Sequence, residues 1–377
     1  ARQGHGIGKP RGTQMRYRVH SPSVMLVTAV VAFGLAGCSG DDGPVGPVTP
    51  FDPDATAQAA AELEDRLDVE SDVMMSLQLV GPALDAEGSA IVQLLPGGVI
   101  RPAQPFNAQM MVAPSFAMEP IFPSNFLGTT FEWDDLLGRY AMTERTGAPA
   151  NGVRFILYAV DPFSGQPVMP LNETGWLDLT DEGSASATQL RVFANTGGVD
   201  RLDYTVSASY ALLGDNVEAT ATGAGFISDG TRSLVFNLVQ TVSFNTVNET
   251  MRVDMLYDLR MDDENVRVVV DVGSDIDLSA SDVSMDVMLT VTDGGNVTVL
   301  DVGVDQTENI TGTVMHNGQT VALMDGSTSS PMFTNANGDP LSTAEVAALS
   351  QAFDVVDDVF DFVEAIFAPF GSTGVTL

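Results

Sequence analysis

Few side chains in this sequence are able to act as nucleophiles, general bases or soft metal ligands. The 377 residues include one cysteine, Cys38, and three histidines. His316 precedes Asn317-Gly318 at a predicted turn, where a histidine is more often solvated than catalytic. No Gly-x-Ser-x-Gly, Gly-x-Gly-x-x-Gly or Walker motif is present. We therefore expect a protein that is not an enzyme and that binds no nucleotide.

Carboxylates are the abundant reactive groups, with 50 Asp and Glu in total. A carboxylate pair can act as general acid and base, but no spacing isolates one pair, so a carboxylate-dependent hydrolase stays only an alternative. Asp271, Asp275 and Asp277 surround a predicted loop, and hard cations such as Ca²⁺ prefer oxygen ligands of this kind. Asp is also an ordinary turn residue. We expect no cofactor, with calcium at these three residues as the alternative.

The charge balance excludes further classes of protein. Lys and Arg number 16, which gives a formal net charge of −34. Nucleic-acid binding needs a basic surface to neutralise phosphates, so we expect no nucleic-acid partner. One cysteine excludes a disulfide scaffold and a cysteine-rich zinc site. The acidity itself has three open explanations: adaptation to salt, binding of divalent cations, or a genome bias toward Arg over Lys combined with a solvated acidic surface.

The segment before Cys38 has the features of an export signal. Met15 is followed by Arg16 and Arg18, and then by an apolar run over residues 24–35. About 20 residues are needed to span a bilayer, so this run is too short and has instead the length of a signal-peptide core. It ends in the sequence Leu35-Ala36-Gly37-Cys38.

These four residues resemble the lipobox of bacterial lipoproteins. The resemblance implies that Cys38 is lipidated and becomes the mature N-terminus, while residues 1–37 are removed. Several acyl chains on one residue give a stable membrane anchor. The residue after the cysteine is Ser39 rather than Asp, which favours the outer membrane in bacteria that sort lipoproteins by this position. We expect an envelope protein whose partner is the membrane; its protein partners cannot be predicted.

The N-terminal part of the mature chain divides into three segments. Residues 38–53 are rich in Gly, Pro and Asp and predict a flexible tether. Residues 54–87 show apolar side chains at helical spacing, with Asp54 as the expected cap and Gly81-Pro82 as the expected end of the helix. Residues 88–130 combine many Pro with Met and Phe, which predicts an irregular segment. This segment is expected either to wrap over an edge of the core or to form an adaptable apolar lid.

Residues 131–325 alternate between apolar and polar side chains. Such alternation is typical of antiparallel strands that bury one face, and turn sequences such as Asp293-Gly294-Gly295-Asn296 separate the runs. We count ten consecutive strands between Leu190 and Met324 and two or three before them. Residues 340–370 predict a second long helix. Ser342-Thr343-Ala344-Glu345 resembles a capping box at its start, and apolar residues at helical spacing follow.

The predicted fold is mainly β (α+β). A large, curved antiparallel meander of about 10–13 strands carries an N-terminal helix and a long C-terminal amphipathic helix on its apolar face. Residues 54–377 are expected to form one domain.

This architecture is similar to that of the half-barrel lipoprotein carriers of the bacterial envelope, although no motif of that family is present. The likeness implies a lipid or another apolar ligand between sheet and helices. The expected lining residues are Met255, Tyr257, Met285, Phe353, Phe360, Met110 and Met111. The alternative is a surface-displayed adhesion or assembly protein with a solid core.

Overall fold

The computed structural model describes residues 51–67, 72–86, 121–161, 163–184, 188–261, 265–280, 282–327 and 330–367. Three helices are present, and they are α1 Pro53–Leu67, α2 Asp72–Ala86 and α3 Thr343–Phe367. The strands are β1 Thr129–Asp134, β2 Arg139–Thr143, β3 Gly152–Tyr158, β4 Val160–Asp161, β5 Gln166–Pro167, β6 Glu173–Asp181, β7 Thr188–Thr196, β8 Val199–Leu213, β9 Asn216–Ser228, β10 Ser233–Asn245, β11 Thr250–Met261, β12 Val266–Asp277, β13 Asp282–Asp293, β14 Asn296–Val304, β15 Asn309–His316, β16 Gln319–Ser327 and β17 Ser330–Thr334.

Fifteen of these strands form one sheet, and β4 and β5 form a separate hairpin. From β6 to β17 every strand pairs antiparallel with its neighbour in sequence, and the ten strands predicted between Leu190 and Met324 are β7 to β16. The predicted meander is therefore confirmed. The predicted total of about 10–13 strands was too low, because four strands of the sheet precede β7 and one more, β17, follows β16. One pairing is parallel, since β1 lies between β2 and β3 and runs in the direction of β3.

The sheet buries one face, as the alternation predicted. Along β11 every second residue is buried, from Met251 to Met261, while the residues between them are half-buried or exposed. The outer face carries ion pairs between neighbouring strands. Arg154 on β3 holds Asp178 on β6 through two bonds of 2.6 Å, and Arg191 on β7 holds Asp203 on β8 at 2.7 Å.

The long helix α3 begins and ends close to the prediction. Ser342 and Glu345 form the capping box, because the Ser342 N–H donates to the Glu345 carboxylate at 2.7 Å and the Glu345 N–H donates to Ser342 Oγ at 3.3 Å. The buried apolar side chains of this helix face the apolar side of the sheet.

Ring contacts show how the sheet bends around α3. Phe353 contacts Phe333 on β17 with ring centroids 5.9 Å apart, and Phe360 contacts Tyr257 on β11 at 5.9 Å. Seven helical residues advance about 10 Å, whereas β17 and β11 are six strand positions apart, which is about 29 Å on a flat sheet. The sheet must therefore curve toward the helix, and α3 lies across successive strands instead of along them.

The N-terminal helical region contains two helices, α1 and α2, where one was expected, and it differs from the prediction in two further details. Asp52, not Asp54, caps α1, because its Oδ1 accepts the N–H groups of Asp54 and Ala55 at 3.1 and 3.3 Å. Pro53 then takes the first helical position, where its missing N–H is not needed. Pro82 lies inside α2, although we expected it to end the helix. The turn that follows Pro82 is held by burial of Ala83 and Leu84.

The Pro-rich segment is described only from residue 121. Ile121, Phe122 and Phe126 are buried, and Phe126 stacks on Phe131 of β1 with ring centroids 6.1 Å apart. This end of the segment therefore wraps over the core, as one of the two alternatives predicted. Residues 87–120 lie outside the described residues, and so do residues 1–50 with the signal and the lipobox. None of the described helices combines the length and the low charge needed to cross a membrane.

Candidate functional site

The candidate site is a cavity between α1, α3 and strands β13 to β15. Its volume is about 160 Å³. Ala59, Ala60 and Leu63 of α1 form one wall, and Ala352 and Val355 of α3 form a second. The sheet supplies Leu300, Thr298 and His316. Three of these eight residues are alanine, and their small side chains leave the space unfilled between elements that otherwise pack closely.

Thr298 and His316 are the buried polar groups of this cavity, exposed by 6% and 7%. They are directly opposite each other on the antiparallel strands β14 and β15. Thr298 Oγ1 lies 2.9 Å from His316 Nδ1. The ring of Phe51 meets His316 edge to face with centroids 5.7 Å apart. Phe51 belongs to the segment predicted as a flexible tether, so the packed part of the chain begins earlier than expected.

Asn317 fixes the orientation of the imidazole. Its Oδ1 accepts the Val297 N–H at 2.9 Å, so its Nδ2 carries the two hydrogens. Nδ2 donates one to Asn296 Oδ1 and the other to His316 Nε2, both at 3.1 Å. The Nε2 atom is therefore an acceptor, and the imidazole carries its proton on Nδ1. Burial lowers the pKa of His316, which favours this neutral form.

The rim of the cavity is acidic. Asp52 at the start of α1 is exposed, and Asp293 at the end of β13 is half-buried. Both residues belong to the lining of the cavity, together with Asn296. The cavity thus combines apolar walls, a neutral polar pair and a negative rim.

His316 was expected to be solvated at a turn, and that prediction was wrong. The residue has the same strand parity as Ile310 and Val314, which point into the core. The turn begins one residue later, at Asn317, whose φ of 51° suits the tight hairpin with Gly318. Parity within β15 is the signal that would have placed this side chain inside. Thr298 carried the same signal, since it has the same strand parity as Leu300 and Val302, which are buried.

The expected apolar lining residues pack against one another. Tyr257 donates its hydroxyl to Met255 Sδ at 3.1 Å and contacts Phe360, while Phe353 contacts Phe333. Met285 is buried in the same core. None of these residues lines the cavity beside His316. Met110 and Met111 lie outside the described residues, as do Leu35, Ala36, Gly37 and Cys38.

The three aspartates considered for calcium do not converge. They lie on β12 at alternate positions of its outer side, and Asp271 is four residues, or about 13 Å, from Asp275. Arg252 binds Asp275 at 2.9 Å, and Asp277 accepts hydrogen bonds from the backbone and hydroxyl of Ser279 at 2.9 and 2.7 Å. Asp277 therefore has the turn-forming role that was the alternative to calcium. Within the described part of the chain, no three acidic, histidine or cysteine side chains are grouped as a metal site requires.

A second depression, of about 450 Å³, lies where strands β9 to β13 end. Its lining is mixed, and its polar residues include Arg252, Asp275, Asp277 and Gln306. Arg252 and Asp275 are already paired with each other, and Asp277 is paired with the turn. This depression is consequently a weaker candidate than the cavity beside His316.

Comparison of the chain with protein-family models, with curated proteins and with solved structures found no match.

Proposed function

We propose that this protein is a lipid-anchored, non-catalytic binding protein of the bacterial envelope, and that it holds a small apolar ligand between α1 and the sheet. The cavity bounded by Ala59, Leu63, Leu300 and Ala352 carries the proposal. Both ring nitrogens of His316 are engaged in hydrogen bonds, so no free base faces this space. The imidazole is thus not available for proton abstraction, and the apolar walls suit the cavity to binding.

The size of the cavity limits the ligand. Pockets for drug-sized molecules measure roughly 300–1,000 Å³, whereas a cavity of about 150 Å³ accepts benzene or xenon. The space of about 160 Å³ therefore suits a molecule with a single ring. A phospholipid would need the region in which Tyr257, Phe360 and Phe362 now pack against the sheet. The lipid expected from the sequence is replaced in this proposal by a much smaller apolar ligand.

The anchor would keep this cavity near the bilayer. Asp52, at its rim, follows Cys38 by 14 residues, which span at most about 50 Å when fully extended. Small apolar molecules concentrate in membranes, so a protein at this distance would meet them at their source. Proximity of anchor and rim supports an envelope role.

A solid interaction module is the second candidate function. It is favoured by the contact of Phe362 with Phe236 at 5.5 Å and by the hydrogen bond from the Tyr204 hydroxyl to the Ile366 carbonyl at 3.0 Å. These contacts fill the concave side of the sheet around α3. A protein of this kind would act through its surface and would leave the small cavity empty.

Ligand binding is tested with the full chain carrying Cys38→Ser, which cannot be lipidated and needs no detergent. We expect ligand-observed NMR to detect toluene binding, and Ala352→Leu, which fills the cavity, to abolish it. Ala61→Leu is the matched control, because Ala61 is exposed on α1. Toluene binding that survives Ala352→Leu, or no binding at all, would leave the solid module as the better account.

The anchor is tested separately in a bacterial host. We expect labelled palmitate to be incorporated into the protein and to be absent from Cys38→Ala, with that variant leaving the membrane fraction. Equal labelling of both forms would contradict lipidation at this residue.

A further inference from the structure

The hydrogen atoms on the polar side chains at the cavity can be assigned one after another. Asn317 donates to His316 Nε2, so His316 Nδ1 carries a hydrogen and donates it to Thr298 Oγ1. Thr298 Oγ1 is then an acceptor in this bond, and its own hydroxyl hydrogen must be directed elsewhere. Among the residues that the structure describes, no acceptor for that hydrogen is found.

Thr298 belongs to the lining of the cavity and is buried. Thr298 is only 6% exposed, and it lines the same space as Leu300 and Ala352. A buried donor without an acceptor carries a desolvation cost. A ligand oxygen in the cavity would remove that cost, whereas a pure hydrocarbon would leave it.

The charges of the residues around the cavity further restrict the class of ligand. Asp52 and Asp293 at the rim oppose the entry of an anion, and the walls offer no cationic partner. A cation would have to leave the two carboxylates to reach walls made of Ala, Leu and Val, at a high desolvation cost. An uncharged molecule meets neither penalty.

We infer that the cavity takes an uncharged, single-ring molecule with one acceptor oxygen, such as a cyclic ketone or ether, whose oxygen accepts the hydroxyl hydrogen of Thr298. This inference rests on the proposed function, because it names the ligand class of the same cavity. It assigns a role in specificity to Thr298 and a positioning role to His316 and Asn317.

The experiment compares two probes of equal shape, cyclohexanone and methylenecyclohexane, on the full chain carrying Cys38→Ser. We expect Thr298→Val to weaken the binding of cyclohexanone about tenfold, as loss of one hydrogen bond of about 1.4 kcal/mol requires. The affinity for methylenecyclohexane should not change. Thr298→Ser keeps the hydroxyl and should retain the affinity for the ketone. Thr290→Val, on the outer side of β13, is the matched control.

Several results would overturn the inference. If Thr298→Val changes the affinities for the two probes equally, the hydroxyl does not distinguish them. A second measurement needs no variant: the infrared carbonyl band of bound cyclohexanone should lie at lower wavenumber than in a hydrocarbon solvent, and an unshifted band contradicts the hydrogen bond. Failure of both probes to bind would instead refute the proposed function, whereas binding of the hydrocarbon alone would refute only the ligand class.

Discussion

At the scale of single residues, the buried imidazole links the stability of the protein to pH. Burial lowers the pKa of His316 in the folded protein, so the unfolded chain takes up a proton at a higher pH. The stabilisation that the neutral imidazole gives to the folded protein is complete above a pH of about 6.5, the ordinary pKa of histidine. It decreases as the pH falls below that value. We expect the advantage of the native protein over His316→Gln in unfolding free energy to shrink between pH 7.5 and pH 5.5.

Urea unfolding of both proteins at several pH values measures this difference. The carboxylates contribute equally to the pH dependence of the two proteins, so their contributions cancel in the comparison. His316 is the only histidine after His20, so no second imidazole in the folded body confuses the comparison. An advantage that stays constant across the pH range would show that the imidazole is not buried as described.

Burial at the residue scale was predictable only where the strand pattern was followed to its end. The alternation over residues 131–325 predicted one buried face, and Val253 and Met255 on that face are both buried. His316 was assigned to the turn because it directly precedes Asn317-Gly318. Gln240 and Thr298 also point inward among apolar neighbours, and composition alone gives no reason to bury them. Polar residues on the inner face are therefore visible in the sequence only through their position in the strand.

At the scale of elements, the aromatic contacts of α3 set much of the stability. Phe362 is fully buried and meets Phe236 at nearly right angles, with ring centroids 5.5 Å apart. We expect Phe362→Ala to lower the unfolding free energy by about 3–5 kcal/mol, as for other large-to-small changes in a core. Phe163→Ala is the matched control, because Phe163 is 98% exposed, and it should change stability by less than about 0.5 kcal/mol. Similar costs for the two changes, measured by urea unfolding, would contradict the placement of α3.

The start of α3 offers a second test at this scale. The reciprocal bonds between Ser342 and Glu345 satisfy two backbone N–H groups that the helix itself leaves unpaired. We expect Ser342→Ala to cost about 1 kcal/mol. Thr343→Ala, one residue inside the helix, should cost clearly less in the same urea titration. The reverse order would mean that the capping box does not form in solution.

Helix ends were predictable where local chemistry decides them and not where packing decides them. The capping box correctly marked the start of α3. Gly81-Pro82 marked the wrong end of α2, since a proline removes one backbone hydrogen bond but does not prevent the burial of Ala83 and Leu84. The direction of α3 across the strands was also beyond local patterns, because it depends on the curvature of the whole sheet.

At the scale of the whole molecule, the order of the strands followed directly from the sequence for most of the sheet. Short turns join β7 to β16, and neighbours in sequence become neighbours in space. The exception is the start of the sheet, where β1 pairs in parallel with β3. Residues 144–151 connect β2 to β3 in a longer return, and alternation carries no information about such a pairing.

The net charge of −34 predicts how the whole molecule responds to salt. Self-repulsion among the carboxylates destabilises the folded state, and the Debye length falls from about 10 Å at 0.1 M to about 3 Å at 1 M. Ion pairs such as Arg154–Asp178 would lose strength in salt, but described acidic residues far outnumber the arginines that could pair with them. We therefore expect the melting temperature to rise with NaCl concentration. CaCl₂ at equal ionic strength separates the explanations of the acidity: the same rise indicates screening alone, whereas a larger rise that saturates indicates bound calcium. A melting temperature that falls with NaCl would show that the ion pairs outweigh the repulsion.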